Sequence, residues 1–137
     1  MSTDDRSDRP DEPLTEAELE ALHEVELGLE ALQRAQGCLV EFHHATGHGM
    51  DHLAAAERRF REAGHTDLAD SIRDRQLPRG VTDEDRWSYA VLEGFQDGLL
   101  AQVSAFEERA RNAIADGRRH VAERRQEREW RNRSHEE

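Results

Sequence analysis

The sequence predicts an all-α protein: an antiparallel hairpin of two long helices, a short third helix in the bend, and pairing of two hairpins into a homodimeric four-helix bundle. Three observations carry that expectation. The composition is 36% charged and only 35% hydrophobic over 137 residues, too polar for a thick globular core and suited to helices sharing a narrow apolar seam. An apolar stripe recurs about every 3.5 residues, the spacing of a coiled-coil seam. Helix start and stop signals bracket that stripe.

Taken in order, residues 1–14 carry Asp4, Asp5, Asp8, Asp11 and Glu12 with two prolines, and are expected to be a disordered acidic tail. Residues 15–133 read as a single helical domain, with 134–137 fraying at the end. The first helix starts at Thr15-Glu16-Ala17-Glu18, a capping box in which Thr15 and Glu18 satisfy each other's backbone N–H groups. Its seam has two lines: Leu22, Leu29, Gln36, His43, Met50 and Glu57, and Val25, Leu32, Leu39, Thr46, Leu53 and Phe60. The phase holds through Gly47-His48-Gly49, so one helix is expected from Thr15 to Ala63, about 70 Å long. A kink at the glycines is the rival, since each costs about 1 kcal/mol relative to Ala. A flanking line of mostly small residues (Ala21, Gly28, Ala35, Phe42, Gly49, Ala56, Ala63) would admit a second helix closely.

Gly64 suits the left-handed position that ends helices. Thr66 is the expected cap of the short helix, Asp67 to Gln76, followed by the turn Pro78-Arg79-Gly80. Thr82, followed by Asp83-Glu84-Asp85, reads as the cap of the last helix, which should run to about Arg131. In an antiparallel hairpin, facing residues have a constant sum of residue numbers. Phe60 with Trp87, Leu53 with Leu92, Met50 with Phe95, Leu39 with Phe106, Leu32 with Ala113 and Val25 with Val121 meet that condition closely. So does His43 with Gln102, which would form a buried polar layer fixing the register, as a buried Asn does in coiled coils. Charge agrees: residues 1–30 carry eleven acids against two arginines, while residues 117–133 carry seven arginines against three glutamates.

No residue is lysine; all 19 basic side chains are arginine, and the net charge is −12. An acidic, lysine-free chain is suited to solution near molar salt, where repulsion between charges is screened within about 3 Å. High genomic GC content also favours arginine. Cys38 is the only cysteine, which excludes an intramolecular disulfide and a four-cysteine zinc site. The sequence has no run of the roughly 18 apolar residues a membrane span needs. The expected location is the cytoplasm.

Chemistry-bearing candidates are few. His44, His48 and His52 step by four, and Glu41 precedes His44 in Glu-x-x-His spacing, which ferritin-like di-iron bundles use to project ligands inward; such a set could hold a divalent transition metal. Glu20-Ala21-Leu22-His23 repeats the spacing. In the predicted register, Glu20, His23, Glu41 and His44 all lie opposite the leucine stripe, where a His/Glu cluster is ordinarily a solvated face. The Arg-rich end, with Arg118, Arg119, Arg124, Arg125, Arg128 and Trp130, could neutralise phosphates and stack on a base. Pairs such as Glu127 with Arg131 satisfy themselves instead, and high salt removes most of the affinity of phosphate contacts. No phosphate-binding loop, Ser-His-Asp ordering or nucleophile motif stands out, so no catalytic residue is assigned. Three functions follow in order: a non-enzymatic helical interaction or adaptor module partnered by itself or another protein, with no cofactor; a metal-binding helical bundle; a nucleic-acid-associated protein.

The segments His-His-Ala-Thr-Gly-His-Gly-Met-Asp-His-Leu (43–53), Ala-Gly-His-Thr-Asp-Leu-Ala-Asp (63–70), Leu-Pro-Arg-Gly-Val (77–81), Asp-Arg-Trp-Ser-Tyr (85–89) and Arg-His-Val-Ala-Glu-Arg-Arg-Gln-Glu-Arg-Glu-Trp (119–130) resemble a small family of acidic helical proteins of halophilic archaea. That resemblance spans about residues 15–133. It implies a halophilic cytosol and no particular activity.

Overall fold

The computed structural model describes residues 14–134; all of the expected acidic tail but its final residue, and the last three residues of the chain, lie outside them. The described residues are helical, without a strand. Helix α1 runs Glu16–Glu62, 47 residues, and passes unbroken through Gly47 and Gly49. Its start is the expected capping box: Thr15 N–H donates to Glu18 Oε1 at 2.9 Å and Glu18 N–H to Thr15 Oγ1 at 3.1 Å. Its end is a Schellman motif. Gly64 takes φ +88°, His65 N–H reaches the Phe60 carbonyl at 2.8 Å and Gly64 N–H that of Arg61 at 3.2 Å, and the Phe60 and His65 rings meet edge-on. The 3.5-residue stripe is the shielded face, since all twelve of its members except Leu53 are partly or fully covered.

Helix α2 is Thr66–Ser71 and continues into a π-helical turn, Ile72–Gln76. Helix α3, Ser88–Phe95, passes through a second π-helical turn, Gln96–Leu100, into α4, Ala101–Ala115. Helix α5 is Val121–Ser134. These elements form two compact units, residues 33–99 and residues 14–32 with 100–134, and α1 contributes to both.

In the 33–99 unit, the expected cap at Thr82 is replaced by a closed loop. The Thr82 hydroxyl accepts the N–H of Arg86 at 3.1 Å, and Val81 N–H donates to the Arg86 carbonyl at 2.7 Å. Gly80 N–H reaches Asp85 Oδ1 at 3.3 Å. A Cβ on Gly80 would overlap the Asp85 carbonyl group, so only glycine lets the loop close, and Asp85 takes φ +57° to do so. The hydroxyl that could have capped a helix is spent on that closure, and α3 starts at Ser88 instead. Trp87, matched to Phe60 by residue number, and Tyr89 are 45% and 55% exposed. Arg61 joins α1 to α2, pairing with Asp70 and Glu57 at 3.0 Å each.

In the other unit, the last helix breaks where continuity was expected. Asp116 and Gly117 both adopt positive φ, +53° and +80°. Arg111 holds the break. Its carbonyl accepts the N–H groups of Asp116 and Gly117. Its guanidinium donates to the Gly117 carbonyl and to both oxygens of Glu107. Glu107 is buried, at 7% exposure, and this ion pair is the most shielded one among the described residues. The partners of α5 on α1 descend from His23 and Glu26 beside Glu123 to Glu16 beside Arg125, so α5 lies antiparallel to the start of α1. Leu19 and Leu22, also in this unit, are buried.

Candidate functional site

The chemistry-bearing side chains gather in the unit built from the start of α1, α4 and α5. His23 and Glu26 stand one turn apart on α1, a spacing that puts both on one helical face. Glu123 enters from the first turn of α5. One ring nitrogen of His23 and one carboxylate oxygen from each glutamate all lie within 4.8 Å of one another. His23 and Glu26 are partly buried and Glu123 is exposed. The Nδ1 of His23 is shielded from solvent and has no hydrogen-bond partner. On the outer side, His120 Nδ1 stands 3.5 Å from Glu123 Oε2, its backbone at φ +57° just ahead of α5.

Beside this cluster runs a groove of about 310 Å³, lined by Leu19, Glu20, His23, Ala122, Gln126 and Trp130, with Glu16, Arg125 and Glu129 at its edge. Arg125 bridges it, 2.7 Å from Glu16 and 3.4 Å from Glu129. Those carboxylates, Glu16 foremost, raise the Arg125 pKa further above its already high value. The acidic start of α1 and the basic C-terminal segment therefore meet through Glu16 and Arg125.

The other candidates stand as follows. Glu41, His44, His48 and His52 are all exposed, and the one group of three or more metal-ligating side chains that converges among the described residues is His23, Glu26 and Glu123. His43 is bonded through Nδ1 to the hydroxyl of Ser88 at 2.7 Å. Gln102 is exposed, so the polar contact of His43 is with Ser88 in place of the expected layer with Gln102. Cys38 is exposed. Of the arginines considered for a nucleic acid, Arg118 donates to the Ala115 carbonyl at 2.9 Å and Arg125 is held as above. Arg119, Arg124 and Arg128 are exposed, and Trp130 is 60% exposed.

The Glu20-x-x-His23 spacing places His23 on the solvent face, whereas the structure leaves it partly buried. What sequence spacing could not supply is Glu123, which arrives only because the chain breaks at Asp116-Gly117 and lays α5 against α1. No helix among the described residues is long and apolar enough to cross a membrane. No protein-family model matches this chain, and no curated protein or solved structure is similar enough to count as a match.

Proposed function

We propose that this chain is a non-enzymatic helical interaction module of a halophilic cytosol, and that its partner is a second copy of itself, two helical hairpins completing one four-helix core. The observation that carries this reading is the thinness of the core. No large side chain among the described residues is fully buried, and Leu27, Phe42, Leu53, Leu99 and Phe106 are 38–50% exposed. Covering these side chains against a partner would supply apolar burial that the single chain lacks.

The small-residue line of α1 supports a second copy as the occupant. Gly28 and Gly49 lie on it, and a Cβ at either would meet nothing within 4 Å. Each mid-helix glycine costs about 1 kcal/mol relative to Ala, and no neighbour within the chain uses the space it leaves. Phe42, on the same line, is 39% exposed. Symmetric apposition of two such lines would bury Phe42 and let the backbones approach closely.

Light scattering at micromolar protein in about 2 M KCl tests the proposal, with screening as short as about 3 Å at 1 M. The expected mass is twice the 15.7 kDa of one chain. Gly28→Arg and Gly49→Arg should each shift the protein to monomer without loss of helix content. A wild-type monomer at that concentration, folded and cooperative in unfolding, overturns the reading.

A further inference from the structure

We propose that His23, Glu26 and Glu123 form a binding site for a divalent transition metal of the zinc type, a function additional to self-assembly. The donor set has the required chemistry. One neutral imidazole and two carboxylates supply a charge of −2 against +2 on the ion, and three protein ligands leave a position for water, as in open zinc sites. Imidazole selects zinc and its first-row neighbours over magnesium and calcium, which take oxygen.

Two independent observations converge on these residues. Their donor atoms lie within 4.8 Å of one another, so rotamer adjustments of Glu26 and the exposed Glu123 bring them to a common ion. In addition, His23 keeps a shielded Nδ1 with no partner, an arrangement that folded chains rarely leave uncompensated. Coordination through either ring nitrogen would fix the tautomer of this imidazole. His120 Nδ1, 3.5 Å from Glu123 Oε2, faces that carboxylate from outside the cluster. The ion would tie α1 to the first turn of α5, which follows the break at Asp116-Gly117.

The test is calorimetric titration of zinc chloride into the full chain, made without an affinity tag and stripped with a chelator. The background carries His44→Ala, His48→Ala and His52→Ala, which removes the exposed histidines. One zinc per chain at about micromolar affinity or tighter is the expected result. His23→Ala and Glu123→Gln should each weaken binding by about tenfold or more. Glu123 is exposed and His23 Nδ1 has no hydrogen bond to lose, so both variants should keep the parent's circular dichroism and oligomeric mass. Loss of zinc binding in the triple-alanine background, or unchanged binding in both His23→Ala and Glu123→Gln, overturns the proposal. The mass measurement separates that failure from failure of the self-assembly reading.

Discussion

The Nδ1 of His43 lies 2.7 Å from the hydroxyl of Ser88, and this bond fixes where α3 begins against α1 within their unit. Ser88 is the first residue of α3 and is buried, while His43 sits on the shielded stripe of α1. Ser88→Ala should therefore cost about 0.5–1.5 kcal/mol. The double variant with His43→Ala should cost less than the sum of the two singles, because contacting residues couple. Gln102→Ala, at an exposed position, should stay within about 0.5 kcal/mol of the parent. Urea unfolding of the four proteins checks this; a large effect at Gln102 and additivity at 43 and 88 would contradict it.

Glu107 and Arg111 make the second prediction. Both side chains are nearly covered, at 9% and 11% exposure, and removing one partner of a buried pair costs about 3–5 kcal/mol. Glu107→Ala should approach that range, since the guanidinium keeps only the Gly117 carbonyl. Exposed pairs such as Arg131 with Glu127 should contribute less than about 1 kcal/mol. Thermal unfolding of Glu107→Ala beside Glu127→Ala measures the contrast.

Two glycines should respond in opposite senses to the same substitution. Gly80→Ala places a methyl on the Asp85 carbonyl and should open the loop ahead of α3, destabilising by more than 1–3 kcal/mol of ordinary backbone strain. Gly37→Ala meets open space in mid-helix and should stabilise by about 1 kcal/mol. Equal effects at both sites would refute the loop geometry.

Acid titration makes a fourth. Arg73 holds Asp74 through two hydrogen bonds, at 2.7 and 2.9 Å, and these lower the Asp74 pKa from the usual carboxylate value. A depressed carboxylate contributes stability that is present above its unfolded pKa, about 3.9, and lost as pH falls through the folded value. Because both side chains are exposed, the readout is the titration itself. The Asp74 carboxyl carbon followed by NMR should have its midpoint below about 3.9, and Arg73→Gln should return it upward.

Salt supplies the last. With a net charge of −12, stability should rise with KCl as like-charge repulsion is screened, from about 10 Å at 0.1 M to about 3 Å at 1 M. A melting temperature unchanged between about 0.1 and 2 M would assign the arginine bias to genome composition.

Local signals in the sequence translated directly into structure wherever a single helix end decided the outcome. Thr15 with Glu18, and Gly64 after Phe60, carry their own hydrogen bonds, and the unbroken stripe from Leu22 to Phe60 kept α1 continuous through Gly47 and Gly49. The failures share one cause, which is competition by groups further along the chain. Thr82 has the composition of a cap, but Gly80, Asp85 and Arg86 recruit it into a loop. Residues 113–121 keep helical spacing through Gly117, yet Arg111 stabilises a left-handed pair at Asp116-Gly117 with bonds no periodicity encodes. Ser88 stands well before Gln102, the residue that the even pairing matched to His43, so residue numbers did not reveal it as the partner of His43. Glu123 joined the His23 cluster for the same reason: its position depends on the break before α5.

Cys38 sits near the middle of the 47-residue α1, exposed and three residues after Ala35 on the small-residue line. In a symmetric pair joined along that line, the thiol becomes a ruler supplied by the protein itself. A spin label there would report a single distance between copies, and dilution with unlabelled chain would erase it. Mild oxidation would test the closest approach, because a disulfide forms only when the two Cα atoms come within about 7 Å. The one cysteine, unable to brace its own fold, would thus record the geometry of the proposed assembly.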